Sequence, residues 1–189
     1  STTLPQDTLR RRVNDELPSD INVLSAVVVP HRFHARHHAV SRRYLYQISR
    51  RRTAFAKAYV WWVKDPLDVQ RMRLAAEAFV GMRDFRAFTP STPGTSDRAA
   101  DEGAEMAGVD RSTLVLVERL EIVEDGDLIL VGIEGSHFLW KMVRRIVGVL
   151  VETGLGGLEP DAVVQFLTAE SKTPARLTAP PSGLFLERV

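Results

Sequence analysis

The sequence has 189 residues, with 25 Lys or Arg against 24 Asp or Glu, a net charge of +1 and 44% apolar residues. That is an ordinary globular composition of single-domain length, well outside the disordered, collagenous and membrane classes. With no cysteine, disulfides, thiolate metal sites and cysteine nucleophiles are excluded, which fits a reducing, cytoplasmic setting. The apolar run from Ile146 stops at Glu152, short of the roughly 18 residues a membrane helix needs. From Ser1 onward there is no signal-peptide apolar core, and no membrane partner is expected.

Leu9, Val13 and Leu17, spaced by four behind Pro5 and Asp7, predict a helix over residues 5–17 that stops before Pro18. Residues 22–29 read as a strand. Residues 31–52 then hold seven arginines, four of the five histidines and no carboxylate. Arginine outnumbers lysine 21 to 4, and its planar donor fork grips phosphate and stacks on bases as an ammonium cannot. The basic block therefore leans towards nucleic acid, against the plainer reading of a solvated charged face. Within it, the two-residue period of VSRRYLYQIS puts Arg42, Tyr44, Tyr46 and Ile48 on one strand face, with Arg43, Leu45 and Gln47 opposite.

Asp65-Pro66 is a helix start, followed by an apolar stripe of Met72, Ala75, Ala76, Phe79 and Val80 and a stop at Gly81. Residues 89–112, rich in proline, glycine and acidic residues, predict a long irregular loop. Residues 97–127 hold ten Asp or Glu against three Arg, so the near-neutral total is the sum of two opposed blocks. TLVLVERLEIV and DLILVGIE flank Glu124-Asp125-Gly126 and predict a hairpin. From Leu139 the apolar positions 139, 142, 143, 146, 147, 150 and 151 form a helical stripe ending near Gly154. Arg144 flanks that stripe, and Gly148 leaves room for a close approach. A last helix starts at Pro160, and GLFLERV closes with a short strand.

This order predicts an α+β fold: a split βαβ arrangement, ferredoxin-like or RRM-like, with an antiparallel sheet and helices on one face. Such sheets often present an open face to RNA. The Arg-Gly-aromatic signature of an RNA-recognition motif is, however, missing from RRYLYQIS. His34 and His38 have the four-residue spacing that lets two imidazoles share a metal on a helix, which raises a histidine-metal hydrolase as a rival. The block supplies no carboxylate ligand and no H-E-x-x-H, so no metal site is expected. Asp84 reads as a turn or capping acid.

Four ordered segments carry a resemblance. FHARHHAVSRRYLYQI, DFRAF at 84–88, HFLWKMVRRIVGVLVETG and APPSGLFLERV resemble the tRNA pseudouridine synthase A family over residues 5–189. Its members carry F-H-A-R then R-R-Y-x-Y, D-F-x-x-F, F-x-x-x-M-V-R-x-I-V-G and a final G-L-x-L. The resemblance implies isomerisation of uridine to pseudouridine, mainly in the anticodon arm of tRNA, with neither metal nor organic cofactor. It also implies a homodimer, since the family is usually dimeric.

That chemistry breaks the uracil N1 bond to ribose and re-forms it at C5. It needs a positioned carboxylate, a clamp on the freed base and a proton acceptor at C5. By the resemblance, Tyr44 stacks on the target base and helps remove the C5 proton; stacking on an aromatic is worth about 1–3 kcal/mol. Arg144 pairs with the nucleophilic carboxylate, an attraction of about 4 kcal/mol at 4 Å and an effective dielectric of 20, before desolvation. Phe33, His34, Arg36, Arg42 and Arg43 would lie along the RNA path, with Lys141 and Arg145 one helix face away.

The family's nucleophilic aspartate lies in a G-R-T-D-x-G segment upstream of the helix matching residues 5–17. No aspartate of this sequence has Arg-Thr before it and Gly two places after. The resemblance therefore implies a C-terminal portion, inactive alone and completed by a missing N-terminal half. Residues 1–30 would be a remnant of that half, 31–175 the C-terminal α+β half, and 176–189 the returning segment and last strand. The remnant strands should expose an apolar edge. The alternative is a non-catalytic RNA-binding module of the same fold.

Overall fold

The computed structural model describes residues 4–90 and 112–189, and the chain divides into two units at Ala39 and Val40. In the first unit, α1 (Gln6–Glu16) follows Pro5 and buries none of its residues. Asn14 ties it to the following segment: its Nδ2 donates to the Val23 carbonyl at 3.0 Å, and the Val23 amide donates to its Oδ1 at 2.7 Å. The strand expected at 22–29 does not form. Its β-rich sequence has no ladder partner among the described residues, and a strand exists only where its backbone groups are paired. Leu24, Val27 and Val28 are 82%, 74% and 83% exposed.

The second unit is built on a sheet in the order β2-β1-β5-β4-β3, with β6 also on β1. Its strands are β1 (Arg42–Ser49), β2 (Trp61–Trp62), β3 (Gly81–Asp84), β4 (Leu114–Asp125), β5 (Leu128–Gly135) and β6 (Leu184–Arg188). The β1–β5, β4–β5, β3–β4 and β1–β6 pairs are antiparallel, and β1–β2 is parallel. The hairpin expected around Glu124-Asp125-Gly126 is β4–β5, with Asp125 opposite Leu128.

Alternation along β1 sorts the two faces as expected. Tyr46 and Ile48 are fully buried, and they sit opposite Val131 and Ile129. The same face of β5 adds Ile133, and this layer meets α2 (Val69–Glu77) and α3 (Met142–Gly154). Met72, Ile146, Val147 and Leu150 come from the two helices. Burying such side chains stabilises by about 1.5–3 kcal/mol each.

The helix expected from Asp65-Pro66 begins later. Asp68 is its N-cap, accepting from the amides of Gln70 and Arg71 at 2.9 and 3.0 Å, a bond worth about 1 kcal/mol over alanine. The Asp68 amide donates to the Gly154 carbonyl, tying this start to the end of α3. After α2 the chain turns and enters β3, a four-residue strand the sequence reading does not contain. The D-F-x-x-F segment then works from the inside. Phe85 and Phe88 are fully buried with Phe79, ring centroids 5.3 to 6.3 Å apart. The expected loop at 89–112 lies almost wholly outside the described residues. Past Pro160 come α4 (Ala162–Thr168) and the one-turn α5 (Thr173–Arg176).

Candidate active site

Tyr44 sits mid-sheet, opposite Ile133 on β5 and Leu186 on β6. Its ring meets the edge of Phe138 in a T-shaped contact at 5.1 Å, a geometry that adds about 0.5–1.5 kcal/mol to area burial. Leu186 beside it is half exposed. The Tyr44 ring is thus packed against Phe138, next to an apolar neighbour half open to solvent. Phe138 and Leu186 belong to the F-x-x-x-M-V-R and G-L-x-L patterns, which could have drawn attention to them.

Arg144 lies in the first turn of α3. Its Nε donates to the Ala179 carbonyl at 2.6 Å, and the Ala179 amide returns a bond to the Arg144 carbonyl at 3.0 Å. The two Nη nitrogens have no hydrogen-bond or ion-pair partner among the described residues. A guanidinium pinned by one edge keeps its other donors for a planar anion, and a carboxylate fits such a fork.

The strap that pins Arg144 is itself pinned from the sheet. Tyr46, on the same face of β1 as Tyr44, donates from its hydroxyl to the Pro180 carbonyl at 2.8 Å. Burial pushes the Tyr46 hydroxyl well above its usual ionisation range, against a smaller opposing pull from Arg144. It is therefore a permanent donor at physiological pH. Gly183 completes the junction at φ +98°, with its carbonyl accepting from the Gln47 amide. A Cβ there would lie 2.7 Å from the Gln47 oxygen.

The remaining expected site residues are distributed unevenly. Arg42 donates to the Ser136 carbonyl at 2.8 Å, on the Tyr44 face. Arg43 points to the other face and is held by carboxylates, Glu187 at 2.7 Å, Glu121 at 3.5 Å and Glu134 at 3.8 Å. The Glu187 bond leads in raising its already high pKa. Lys141 caps α3 in the left-handed region, φ +61°, with its ammonium 4.1 Å from the Trp140 ring centroid. Arg145 is only 8% exposed and donates from Nη1 to the Ala87 carbonyl at 3.1 Å, while its buried Nε has no partner among the described residues. Burial lowers its pKa. Arg145, expected one helix face away from the RNA path, is packed under the D-F-x-x-F turn through this bond to Ala87.

Phe33, His34 and Arg36 belong to the first unit. Phe33 stacks on His38 at 5.6 Å, and His38 Nδ1 accepts from the His34 amide at 2.9 Å. Among the described residues no three His, Cys, Asp or Glu converge as a metal site. Asp84 is a turn acid, accepting from the Arg86 guanidinium, the Thr113 hydroxyl at 2.6 Å and the Arg86 amide. The Arg86 bond leads in holding its carboxyl below the usual range.

Comparison with known proteins identifies the family. A family model for tRNA pseudouridine synthase matches residues 75–189. The chain is 36% identical to tRNA pseudouridine synthase A of Thermoanaerobacter sp. (strain X514), over all of this chain and 72% of that protein. It is 33% identical to the protein of the same name from Pseudothermotoga lettingae, over 98% of this chain and 71% of the relative. The chain belongs to the tRNA pseudouridine synthase family, isomerases that act on tRNA. No helix among the described residues is long and apolar enough to cross a membrane.

Proposed function

We propose that this chain supplies the base clamp and the carboxylate anchor of a cytoplasmic enzyme that isomerises uridine to pseudouridine in the tRNA anticodon arm. The observation that carries the reading is Arg144, fixed through Nε to Ala179 with both Nη nitrogens open among the described residues. Its fork holds the nucleophilic aspartate ionised and aimed at the sugar or base. Tyr44 stacks on the flipped uracil and assists loss of the C5 proton. The N1–C1′ bond breaks, the C5–C1′ bond forms, the C5 proton leaves and N1 gains one, so no external oxidant or cofactor enters.

The aspartate is not among these 189 residues and comes from chain beyond them. The exposed apolar segment 21–29, without a ladder partner among the described residues, supports a further sheet pairing there. In this reading residues 1–30 belong to that other half, 31–175 form the C-terminal half, and 176–189 return towards the first. The split βαβ description is supported by β5 lying antiparallel between β1 and β4. Arg42 and Lys141 are RNA-contact residues of the second unit, and Phe33, His34 and Arg36 are RNA-contact residues of the first. Arg43 and Arg145 serve it indirectly, from carboxylate-bound and buried positions. The working assembly is a homodimer.

Tritium release from C5-labelled uridine in tRNA tests the reading. These 189 residues alone should release none, and the chain extended by the native upstream half that carries an in-frame G-R-T-D-x-G should release it. Release by the 189 residues alone would overturn the assignment of the aspartate. Inactivity of the extended chain, with tRNA binding intact, would favour the non-catalytic module.

A further inference from the structure

We propose that the connection between β1 and β2 is a second RNA-contact surface, which stacks unpaired bases on Phe55 and Tyr59 and holds their phosphates at Arg52 and Lys57. The inference rests on the RNA-substrate reading above and adds a surface to it. From Arg50 to Lys64 the chain has five cations, four aromatics and no carboxylate. Phe55 is 98% exposed and Tyr59 57%, although rings of this size are ordinarily among the more buried side chains.

The rings and charges are arranged differently from an apolar docking patch. Tyr59 lies at 25° to Phe185, centroids 6.4 Å apart, which holds its ring against the sheet. Phe185 pairs with Leu45, on the face of β1 opposite Tyr44, so this surface is separate from the candidate active site. Arg52 sits over the Trp62 ring at 4.4 Å, a contact that orients the guanidinium without neutralising it.

Two of the cations are already occupied. Arg50 pairs with Glu124 and Arg51 with Asp127 at 3.2 Å, anchoring the connection to the β4–β5 hairpin. Arg52 and Lys57 are exposed and have no carboxylate partner among the described residues. Unneutralised cations alternating with exposed rings match the recognition of single-stranded RNA, where every base offers a face for stacking and every phosphate a charge. A second protein copy would call for a more continuous apolar area than Phe55 and Tyr59, separated by Lys57, provide.

The test is a fluorescence anisotropy titration of the chain with a fluorescein-labelled twelve-nucleotide oligouridylate. Phe55→Leu should weaken binding about tenfold, and Phe55→Trp should retain it, because the ring rather than apolar bulk is required. The Arg52→Gln, Lys57→Gln double variant should reduce the slope of log affinity against log salt by about 1.4, from roughly 0.7 per single-strand phosphate. Melting temperature should not move for Phe55→Leu, since that side chain is almost wholly exposed. Equal affinity of Phe55→Leu and wild type would overturn the proposal. So would sedimentation showing that Phe55→Leu dissociates a dimer while RNA affinity stays unchanged. Phe55-dependent binding alongside failed tritium release by the extended chain would sink the active-site reading and leave this surface standing. The converse result would sink this surface alone.

Discussion

Gly148 of α3 lies against the carbonyl of Leu177, so closely that a Cβ on Gly148 would come within 1.7 Å of the oxygen. The 177–180 strap crosses the helix at this point. It carries the Ala179 carbonyl that fixes Arg144 and the Pro180 carbonyl that accepts from Tyr46. A glycine one turn beyond Arg144 therefore sets where the guanidinium points.

Gly148→Ala should displace the strap. Helix propensity alone would favour alanine by about 0.8–1 kcal/mol, yet backbone cannot yield as a flexible side chain does, and overpacking costs about 1–3 kcal/mol. Net destabilisation, read as a lower urea midpoint with unchanged slope, is the expected result. A gain in stability would mean that the crossing is looser than the contact implies.

Arg144→Lys keeps the charge but loses the fork and the Nε bond. In the chain extended with the aspartate segment, kcat for tritium release should fall about a hundredfold, roughly 2.7 kcal/mol at 1.36 kcal/mol per factor of ten, with KM for tRNA nearly unchanged. The acid limb of the pH–rate profile should move up, because a carboxylate without its arginine protonates more readily. A KM effect with kcat intact would assign Arg144 to RNA binding instead.

Tyr46→Phe removes the hydroxyl that holds Pro180, a net loss of about 1 kcal/mol near neutral pH. The folded state resists ionising Tyr46, while the unfolded chain loses this proton near its ordinary value of about 10. The tyrosine's contribution is therefore complete below about pH 10 and is lost as pH rises above it, at up to about 1.4 kcal/mol per pH unit. Urea midpoints measured from pH 8 to 11 should fall more steeply for wild type than for Tyr46→Phe. Parallel curves would show that Tyr46 ionises freely in the fold.

Much of this was legible in the residue order. The two-residue period of β1 placed Tyr44, Tyr46 and Ile48 on one face, and the buried pair at 46 and 48 agrees. The Gly126 hairpin and the apolar stripe of α3 formed where patterning put them. Elements of two to four residues, β2, β3 and α5, escaped notice because they are too short to show a period. The helix start moved from Asp65 to Asp68 because capping is decided by which carboxylate reaches two free amides.

By itself the sequence determined the residue set, the family-like motifs and the alternation that aims Tyr44 and Tyr46 together, since these depend on local spacing. Only the tertiary structure decided what each arginine does. Arg144 is pinned with its fork open, its neighbour Arg145 is buried under Ala87, and Arg43 is surrounded by three carboxylates. The reason is physical: a guanidinium's role is set by the carbonyls and carboxylates within about 3–4 Å of it. Here those partners come from Ala87, Ala179 and Glu187, far away along the chain.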